Sequence, residues 1–313
     1  MKRFLLPYLI CPACLPREHL LDALVESEAD GDILTGQLSC PRCRRRFPVR
    51  DGVANLLPDP DSTPSGGQWR YEEGGMADRY LWSHYAELCG AVANGAANEA
   101  WEGLLAGGHG PSLDAGCAVG RLTFAMAGRS DWAVGCDLST VFIKAARRLA
   151  RERQITFSLP LEGDLVENFS VSLPQGWRSD NIEFVVADAL RLPFARDTFR
   201  QAASLNLLDR VAYPLAHLYE MNRVARSEGA SFLFASPFSW TASASPEERW
   251  LGGKSSGDYP GRGAENVRSL LQGRGGVIAP PWRIAASGCV EWRMRSHSNH
   301  HELISSQYLL ASR

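Results

Sequence analysis

The sequence has no apolar run long enough to cross a membrane, which takes about 20 consecutive apolar residues in a helix. Its first residues, MKRFLLPYLICPAC, reach proline and cysteine too early for the apolar core of a secretion signal. Integral membrane proteins and exported proteins are therefore disfavoured. We expect a cytoplasmic protein without membrane contact.

A strong excess of either charge is also missing, since the formal net charge of the 313 residues is −2. Proteins that attract nucleic acid through their overall field are strongly basic. Bulk charge thus favours a small-molecule substrate. The local exception is a basic cluster, which is either a solvated face or a contact surface for a polyanion or partner: Arg42, Arg44, Arg45, Arg46 and Arg50.

The eight cysteines do not form the pattern of a secreted disulfide scaffold. Four of them form two Cys-Pro-x-Cys units, Cys11 with Cys14 and Cys40 with Cys43, which are 25 residues apart. Two residues between thiolates let one turn present both sulfurs to an ion, and two such turns complete a tetrahedral shell for zinc. Because the protein fills all four positions, the predicted zinc is structural.

Composition divides the chain into three parts. Residues 1–58 are predicted to be a small zinc ribbon, whose last strands flank an Asp51-Gly52 turn. Residues 59–75 are predicted to be a linker, because proline, glycine, serine and aspartate dominate its first half. Residues 76–313 alternate short apolar runs with helical patterns, and an extra hairpin is expected within 155–180.

That alternation predicts an α/β fold, a doubly wound seven-stranded sheet of the Rossmann-like kind, closed by a C-terminal antiparallel hairpin. Its first strand-to-helix turn is Leu113-Asp-Ala-Gly-Cys-Ala-Val-Gly-Arg121. Gly116 permits a sharp turn and Gly120 lets the helix start close to the strand. The middle position is Ala118 rather than glycine, which disfavours a dinucleotide pyrophosphate.

Acidic residues follow the next strands in the same way. Asp137 ends the apolar run from Trp132, 23 positions after Asp114, where a carboxylate can accept from both hydroxyls of a ribose. Asp188 follows the run 182–187 and can accept from an adenine amino group. Three carboxylates at successive strand ends predict a nucleoside site.

The order of Asp-x-Gly-x-x-x-Gly, Asp137, Asp188-Ala and Asn206 resembles the class I methyltransferases that use S-adenosylmethionine. The resemblance implies that Asp114, Gly116 and Gly120 hold the methionine end of that cofactor. It further implies that Asp137 holds the ribose, and Asp188 with Ala189 the adenine. The full set of expected cofactor contacts is Asp114, Gly116, Cys117, Gly120, Arg121, Asp137, Leu138, Asp188, Ala189 and Asn206.

Further stretches resemble the methyltransferase domain of ovothiol biosynthesis, a mercaptohistidine N-methyltransferase. They are Gly116-Cys-Ala-Val-Gly-Arg121, Asp137-Leu-Ser-Thr-Val-Phe-Ile143, Asn206-Leu-Leu-Asp-Arg210, Ser236-Pro-Phe-Ser-Trp240 and Ser245-Pro-Glu-Glu-Arg-Trp-Leu-Gly-Gly253. The resemblance implies methyl transfer to an imidazole nitrogen. Residues 5–58 resemble Trm112-like zinc ribbons, which are fused to or partnered with RNA and protein methyltransferases.

Asn206 and Asp209 lie directly past the predicted fourth strand and are the candidate catalytic residues. Tyr80 and Trp240 are the candidate walls for the substrate. The alternative is that Asp209 pairs with Arg210 and that both aromatic residues belong to the core.

Three functions remain open. The first is a methyltransferase for an imidazole or amino nitrogen of a histidine-like metabolite. The second is an rRNA or tRNA base methyltransferase that binds RNA through the ribbon, since Gly52-Val-Ala-Asn-Leu-Leu-Pro58 resembles the same stretch of bacterial rRNA guanine methyltransferases. The third is a non-catalytic scaffold that binds S-adenosylmethionine or a partner protein.

Overall fold

A computed structural model describes residues 1–60, 71–72, 75–90 and 95–313. Most of the predicted linker 59–75 lies outside the described residues. No helix in the described ranges is long and apolar enough to span a membrane.

The N-terminal unit is a four-stranded antiparallel sheet in the order β1-β2-β3-β4. Its strands are β1 (Asp22–Ala29), β2 (Asp32–Ser39), β3 (Arg46–Arg50) and β4 (Val53–Ala54). Asp51 and Gly52 connect β3 to β4 with positive φ angles of 51° and 78°, as a tight two-residue hairpin turn requires. One Cys-Pro-x-Cys unit precedes β1 and the other lies between β2 and β3.

The second unit is built on a seven-stranded sheet, as predicted. The strands are β5 (Pro111–Ala115), β6 (Trp132–Asp137), β9 (Ile182–Val186), β10 (Gln201–Leu205), β11 (Ser231–Ser236), β12 (Arg283–His297) and β13 (His300–Ser312). Their order is β12-β13-β11-β10-β5-β6-β9, and β13 runs antiparallel to β11 and to β12. The other five strands are parallel, so their carboxyl ends share one edge.

Helices cover this sheet: α1 (Met76–Tyr85), α2 (Gly95–Gly103), α3 (Arg121–Ala127), α4 (Thr140–Glu152), α5 (Pro214–Val224) and α6 (Gly263–Leu271). Local sequence explains their ends. Ser139 caps α4 by accepting from the Phe142 amide at 3.2 Å, and proline occupies the first turn of α5. The buried side of α4 carries Phe142, Ile143, Ala146 and Leu149, at the spacing of one helix face.

The inserted hairpin consists of β7 (Gln154–Glu162) and β8 (Leu165–Ser172), which pair only with each other. The rings of Phe157 and Phe169 stack across it with centroids 5.2 Å apart. An ion pair of 2.7 Å between Glu167 and Arg295 joins the hairpin to β12.

The ribbon and the large sheet share one hydrophobic core. Residues of the ribbon (Met1, Leu5, Leu9 and Phe47) belong to the same buried cluster as Val134, Val185 and Phe194 of the second unit. Backbone hydrogen bonds cross the junction from the Leu56 amide to the Val186 carbonyl at 2.8 Å and from the Ile10 amide to the Pro193 carbonyl at 2.9 Å. The ribbon therefore extends the β9 edge of the seven-stranded sheet.

Candidate active site and zinc centre

The four predicted cysteine ligands converge. Their sulfur atoms all lie within 4.8 Å of one another, with 3.7 Å between Cys11 and Cys43 and 3.8 Å between Cys14 and Cys40. A tetrahedral zinc site with Zn–S bonds of about 2.3 Å has sulfur–sulfur edges of about 3.8 Å. The cluster thus has the size and the ligands of a structural zinc site.

A cavity of about 810 Å³ opens at the carboxyl ends of the parallel strands. Ten predicted site residues line it: Tyr80, Asp114, Gly116, Cys117, Arg121, Asp137, Leu138, Asp188, Ala189 and Asn206. Small-molecule sites occupy about 300–1,000 Å³, and in open α/β sheets they lie at this edge. The fold thus assembles a ligand-sized site from residues that lie far apart in sequence.

The two glycines of the first strand-to-helix turn pack against different parts of the fold. Gly116 has a φ of 76°, and a Cβ atom added there would lie 2.9 Å from Leu207, so the turn packs directly against the tip of β10. Gly120 has a φ of 88° and does not line the cavity, because an added Cβ would lie 2.6 Å from the Phe184 ring. Gly120 thus lets helix α3 pack closely on the sheet, and its cofactor contact stays a prediction.

Asp137 is held at the end of β6 by backbone donors. Its Oδ2 accepts from the Ala118 amide at 3.0 Å and its Oδ1 from the Ser139 amide at 2.9 Å. Burial raises the pKa of Asp137 to about 6, although these two hydrogen bonds lower it. A carboxylate offers about four lone-pair sites, so the oriented group keeps acceptors for two ribose hydroxyls. Ala118, which the sequence analysis did not assign to the site, has a positive φ of 47°.

Asp114 accepts from the Thr123 hydroxyl at 2.7 Å, and burial raises its pKa to about 7 with a further contribution from Asp137. Asp188 accepts from the Leu190 amide at 2.8 Å, and burial raises its pKa as well. Both carboxylates line the cavity.

The buried ring of His217 fixes the loop after β9. Its Nδ1 lies 3.1 Å from the Ala189 carbonyl and its Nε2 lies 2.8 Å from the Ser204 hydroxyl. Because a carbonyl only accepts, Nδ1 carries the proton and Nε2 accepts from Ser204. Burial lowers the pKa of His217 to about 4, so this neutral tautomer persists at pH 7. The ring thereby positions the Asp188-Ala189 segment, a role without a sequence signal.

Arg121 lies at one end of the cavity and is shared by two carboxylates. Its Nη2 is 2.7 Å from Glu102 and 3.3 Å from Glu87, and its guanidinium lies 4.2 Å above the Trp177 ring. Within the described ranges, its Nε and Nη1 atoms and the Nδ1 atom of His84 are buried without a hydrogen-bond partner. A buried donor left unpaired costs about 1–3 kcal/mol. Glu87 Oε2 and Glu102 Oε1 are buried without a hydrogen-bond partner as well, so this end offers both donors and acceptors to a polar ligand group.

The two candidate catalytic residues separate in the structure. Asn206 lines the cavity, whereas Asp209 is fully buried outside it. Asp209 accepts from the Ser236 hydroxyl at 2.9 Å and from the Ser239 amide at 3.1 Å, and lies 3.5 Å from Arg210. Asp209 therefore organises the loop after β11 and does not face a substrate. Asp209 thus pairs with Arg210, as the alternative interpretation expected.

The candidate walls separate in the same way. Tyr80 lines the cavity, with its ring 4.8 Å from that of Phe142. Trp240 does not line it, because its ring stacks on Trp250 at 6.1 Å. Trp240 is thus part of the packing of the loop after β11.

The C-terminal hairpin forms one side of the cavity, which the sequence did not predict. Trp292 and Met294 of β12 and Ile304 of β13 line it, as do His84 of α1 and Arg210. Burial and the neighbouring Arg121 lower the pKa of His84 to about 4, so its ring is neutral at pH 7. The alternation of Val290, Trp292 and Met294 along one face of β12 is the signal that could have identified this wall.

Comparison with known families agrees with both parts of the chain. A family model described as a methyltransferase domain matches residues 113–233, and one described as a Trm112p-like protein matches residues 2–52. No curated protein matches the chain.

Solved structures resemble the chain only at low identity and with TM-scores below 0.5. The magnesium protoporphyrin IX methyltransferase of Synechocystis PCC 6803, solved with bound S-adenosylmethionine, is 16% identical with a TM-score of 0.46, covering 78% of this chain and 94% of its own. A complex of the Haloferax volcanii Trm112 methyltransferase activator with a methyltransferase is 12% identical with a TM-score of 0.45, covering 80% of this chain and 99% of its own. Likenesses this weak carry no argument about substrate.

The matched models, the cysteine cluster and the strand-end carboxylates agree with one another. The chain therefore contains a methyltransferase domain at residues 113–233 and, in the same polypeptide, a Trm112p-like unit at residues 2–52 that holds the four-cysteine cluster.

Proposed function

We propose that the chain transfers the methyl group of S-adenosylmethionine to a nitrogen of a small histidine-like metabolite, an imidazole or amino nitrogen. The observation that carries the proposal is the size and lining of the cavity. Besides the strand-end carboxylates and Asn206, Trp292, Met294 and Arg210 line it. A total of about 810 Å³ suits a cofactor together with a small second molecule.

The residues of the chain would divide the work between them. Asp137 and Asp188 would hold the ribose and adenine, while Arg121 and His84 would face the carboxylate of the cofactor. When bound, S-adenosylmethionine supplies an electrophilic methyl group on a sulfonium. The protein's contribution to such a displacement is to orient the two reactants and exclude water, which can supply several orders of magnitude in rate. The resemblance to the methyltransferase domain of ovothiol biosynthesis supports a histidine-like acceptor.

The second candidate, an RNA base methyltransferase, has one supporting observation. Arg42, Arg44, Arg46 and Arg50 are exposed, and their neighbour Arg45 donates to the carbonyl of Pro58, which lines the cavity. A basic ribbon face next to the cavity entrance would suit a phosphate backbone. The core that the ribbon shares with the catalytic sheet gives it a structural task without RNA.

A methyl-transfer assay that measures S-adenosylhomocysteine release separates the candidates. Histidine and a thiol-substituted histidine are compared with free nucleosides and with ribosomal RNA transcripts. The proposal expects turnover with an imidazole acceptor. It expects no RNA binding whose affinity rises as the salt concentration falls. Turnover on RNA alone would replace it by the second candidate, and binding of S-adenosylmethionine without transfer to any acceptor would favour a scaffold.

A further inference from the structure

The side chains of Trp292, Ser306 and Asn206 form a hydrogen-bonded row from the C-terminal hairpin to the cavity. The indole Nε1 of Trp292 lies 3.0 Å from the Ser306 hydroxyl, and that hydroxyl lies 2.6 Å from Oδ1 of Asn206. Ser306 is completely buried, whereas Trp292 and Asn206 both line the cavity.

The direction of this row follows from its first member. An indole N–H only donates, so the Ser306 oxygen is the acceptor from Trp292. The single hydroxyl proton of Ser306 is therefore free to point at Asn206, and the Asn206 carbonyl oxygen accepts it. A reversed Asn206 amide would leave the buried hydroxyl proton of Ser306 without an acceptor among the described residues. The buried serine thus fixes the orientation of the amide.

The consequence is that Asn206 presents a donor to the cavity. Its Nδ2 has no acceptor among the described residues, and it is not among their buried unpaired atoms. The backbone supports this placement, since Asn206 has a φ of 57° and asparagine tolerates this left-handed conformation. Gly116 packs against Leu207, the next residue in the chain, and Gly116 and Asn206 both line the cavity.

Trp292 contributes a flat apolar surface. Because its one polar atom is engaged by Ser306, only carbon atoms of the ring are left to contact a ligand. Met294 and Ile304 line the cavity beside it and are also apolar. Rings prefer offset or edge contacts with other rings, so this wall suits a planar partner.

We infer that Trp292, Ser306 and Asn206 select a planar heteroaromatic methyl acceptor that carries a hydrogen-bond acceptor atom opposite Asn206 Nδ2. The inference rests on the proposed function and narrows it. A ring nitrogen with a lone pair, a thiolate or a carboxylate meets the requirement. An exocyclic amino group does not, since its N–H groups would face the Asn206 Nδ2 donor, donor against donor.

The test is steady-state methyl transfer by the full chain, with a thiol-substituted histidine as acceptor. Asn206→Asp keeps the side-chain shape, the left-handed backbone and the hydrogen bond from Ser306. It replaces the two N–H donors of Nδ2 by a carboxylate oxygen, which only accepts. We expect kcat/KM for the acceptor, measured at saturating S-adenosylmethionine, to fall about 10- to 100-fold.

Matched variants separate selection from stability. Trp292→Phe keeps a flat ring and should retain more activity than Trp292→Leu. Ser306→Ala should raise KM, whereas Ser305→Ala, an exposed neighbour on the same strand, should leave kinetics unchanged. Circular dichroism melting checks that each variant is folded.

Two results would overturn the inference. One is an Asn206→Asp variant within threefold of wild type at pH 8; the other is a wild-type preference for the exocyclic amine of a nucleoside. In either case methyl transfer itself would stand. A wild-type chain that binds no S-adenosylmethionine would overturn the proposed function and the inference together.

Discussion

The amide of Leu56 donates to the carbonyl of Val186 at 2.8 Å, which joins the last residues of the ribbon to the edge strand β9 of the catalytic sheet. Asp137, the candidate ribose ligand, ends the strand next to β9. Zinc, ribbon and cofactor site are thus connected through adjacent strands. Loss of the metal should therefore destabilise the catalytic unit as well.

Cys40→Ser tests that connection. Cys40 is buried in the shared core, and three remaining thiolates bind zinc more weakly than four. We expect less zinc per purified chain and a melting temperature lowered by about 10 °C or more, in a single transition that includes the catalytic unit. Metal analysis and circular dichroism provide the measurement. Cys289→Ser, at an exposed cysteine outside the cluster, is the control. A ribbon that melted alone would show that the units fold independently.

Arg147 should contribute strongly to the junction. It is mostly buried, lies 2.7 Å from Asp32 of the ribbon and also pairs with Glu183 of β9. Arg147→Met leaves the buried Glu183 carboxylate without its ion-pair partner, whereas Asp32 keeps the N-terminal ammonium 2.5 Å away. The loss should cost about 3–5 kcal/mol in the free energy of unfolding. Denaturant unfolding measures it.

The neighbouring Arg148→Met removes an exposed pair with Glu152 at 2.9 Å and should cost less than about 1 kcal/mol. Equal losses for the two arginine variants would refute the assignment of the buried ion pair.

Gly120→Ala should destabilise the fold rather than only weaken cofactor binding. The variant combines a φ of 88° with a Cβ 2.6 Å from Phe184, so about 2–4 kcal/mol is expected. Gly163→Ala, where φ is 55° and no atom lies within 4 Å, isolates the backbone contribution. Thermal unfolding of the two variants gives the comparison. If they lost equal stability, steric contact with Phe184 would play no part.

The stability of the ligand-free protein should depend on pH through Asp114. Burial raises its folded pKa to about 7, above the ordinary value of 3.8, so the folded state holds the proton more tightly than the unfolded state. The free energy of unfolding should therefore fall as pH rises from about 4 to about 7, by on the order of 2–4 kcal/mol from this group. Asp114→Asn keeps the bond from Thr123 and should lose this part of the slope. Denaturant melts at pH 5.5 and pH 8 test it, and an unchanged slope would contradict it.

Local patterns predicted the elements that local rules govern. The strand Trp132–Asp137 has the bounds of its predicted apolar run, and the Asp51-Gly52 turn lies between two strands as its sequence predicted. The cysteine spacing predicted the metal cluster for the same reason.

The remaining site depends on contacts between distant residues. The position of Asn206 directly after a strand predicted that it reaches the cavity. The same position of Asp209 did not indicate that its side chain turns inward to Ser236 and Ser239. Trp292 joins the site only because β12 folds back beside β13, more than 80 residues after Asn206 in the chain. His217 acts through Ala189, a contact that no spacing rule reports.

The central claim is that strand-end carboxylates bind the nucleoside of S-adenosylmethionine. Isothermal titration of this compound into the wild-type chain, Asp137→Ala and Asp131→Ala tests it, since Asp131 lies at the opposite end of the same strand. The account predicts one site in the wild type, an unchanged Kd for Asp131→Ala and an affinity at least about 30-fold weaker for Asp137→Ala, from the loss of charged hydrogen bonds to two hydroxyls. Wild-type affinity in the Asp137→Ala chain would contradict it.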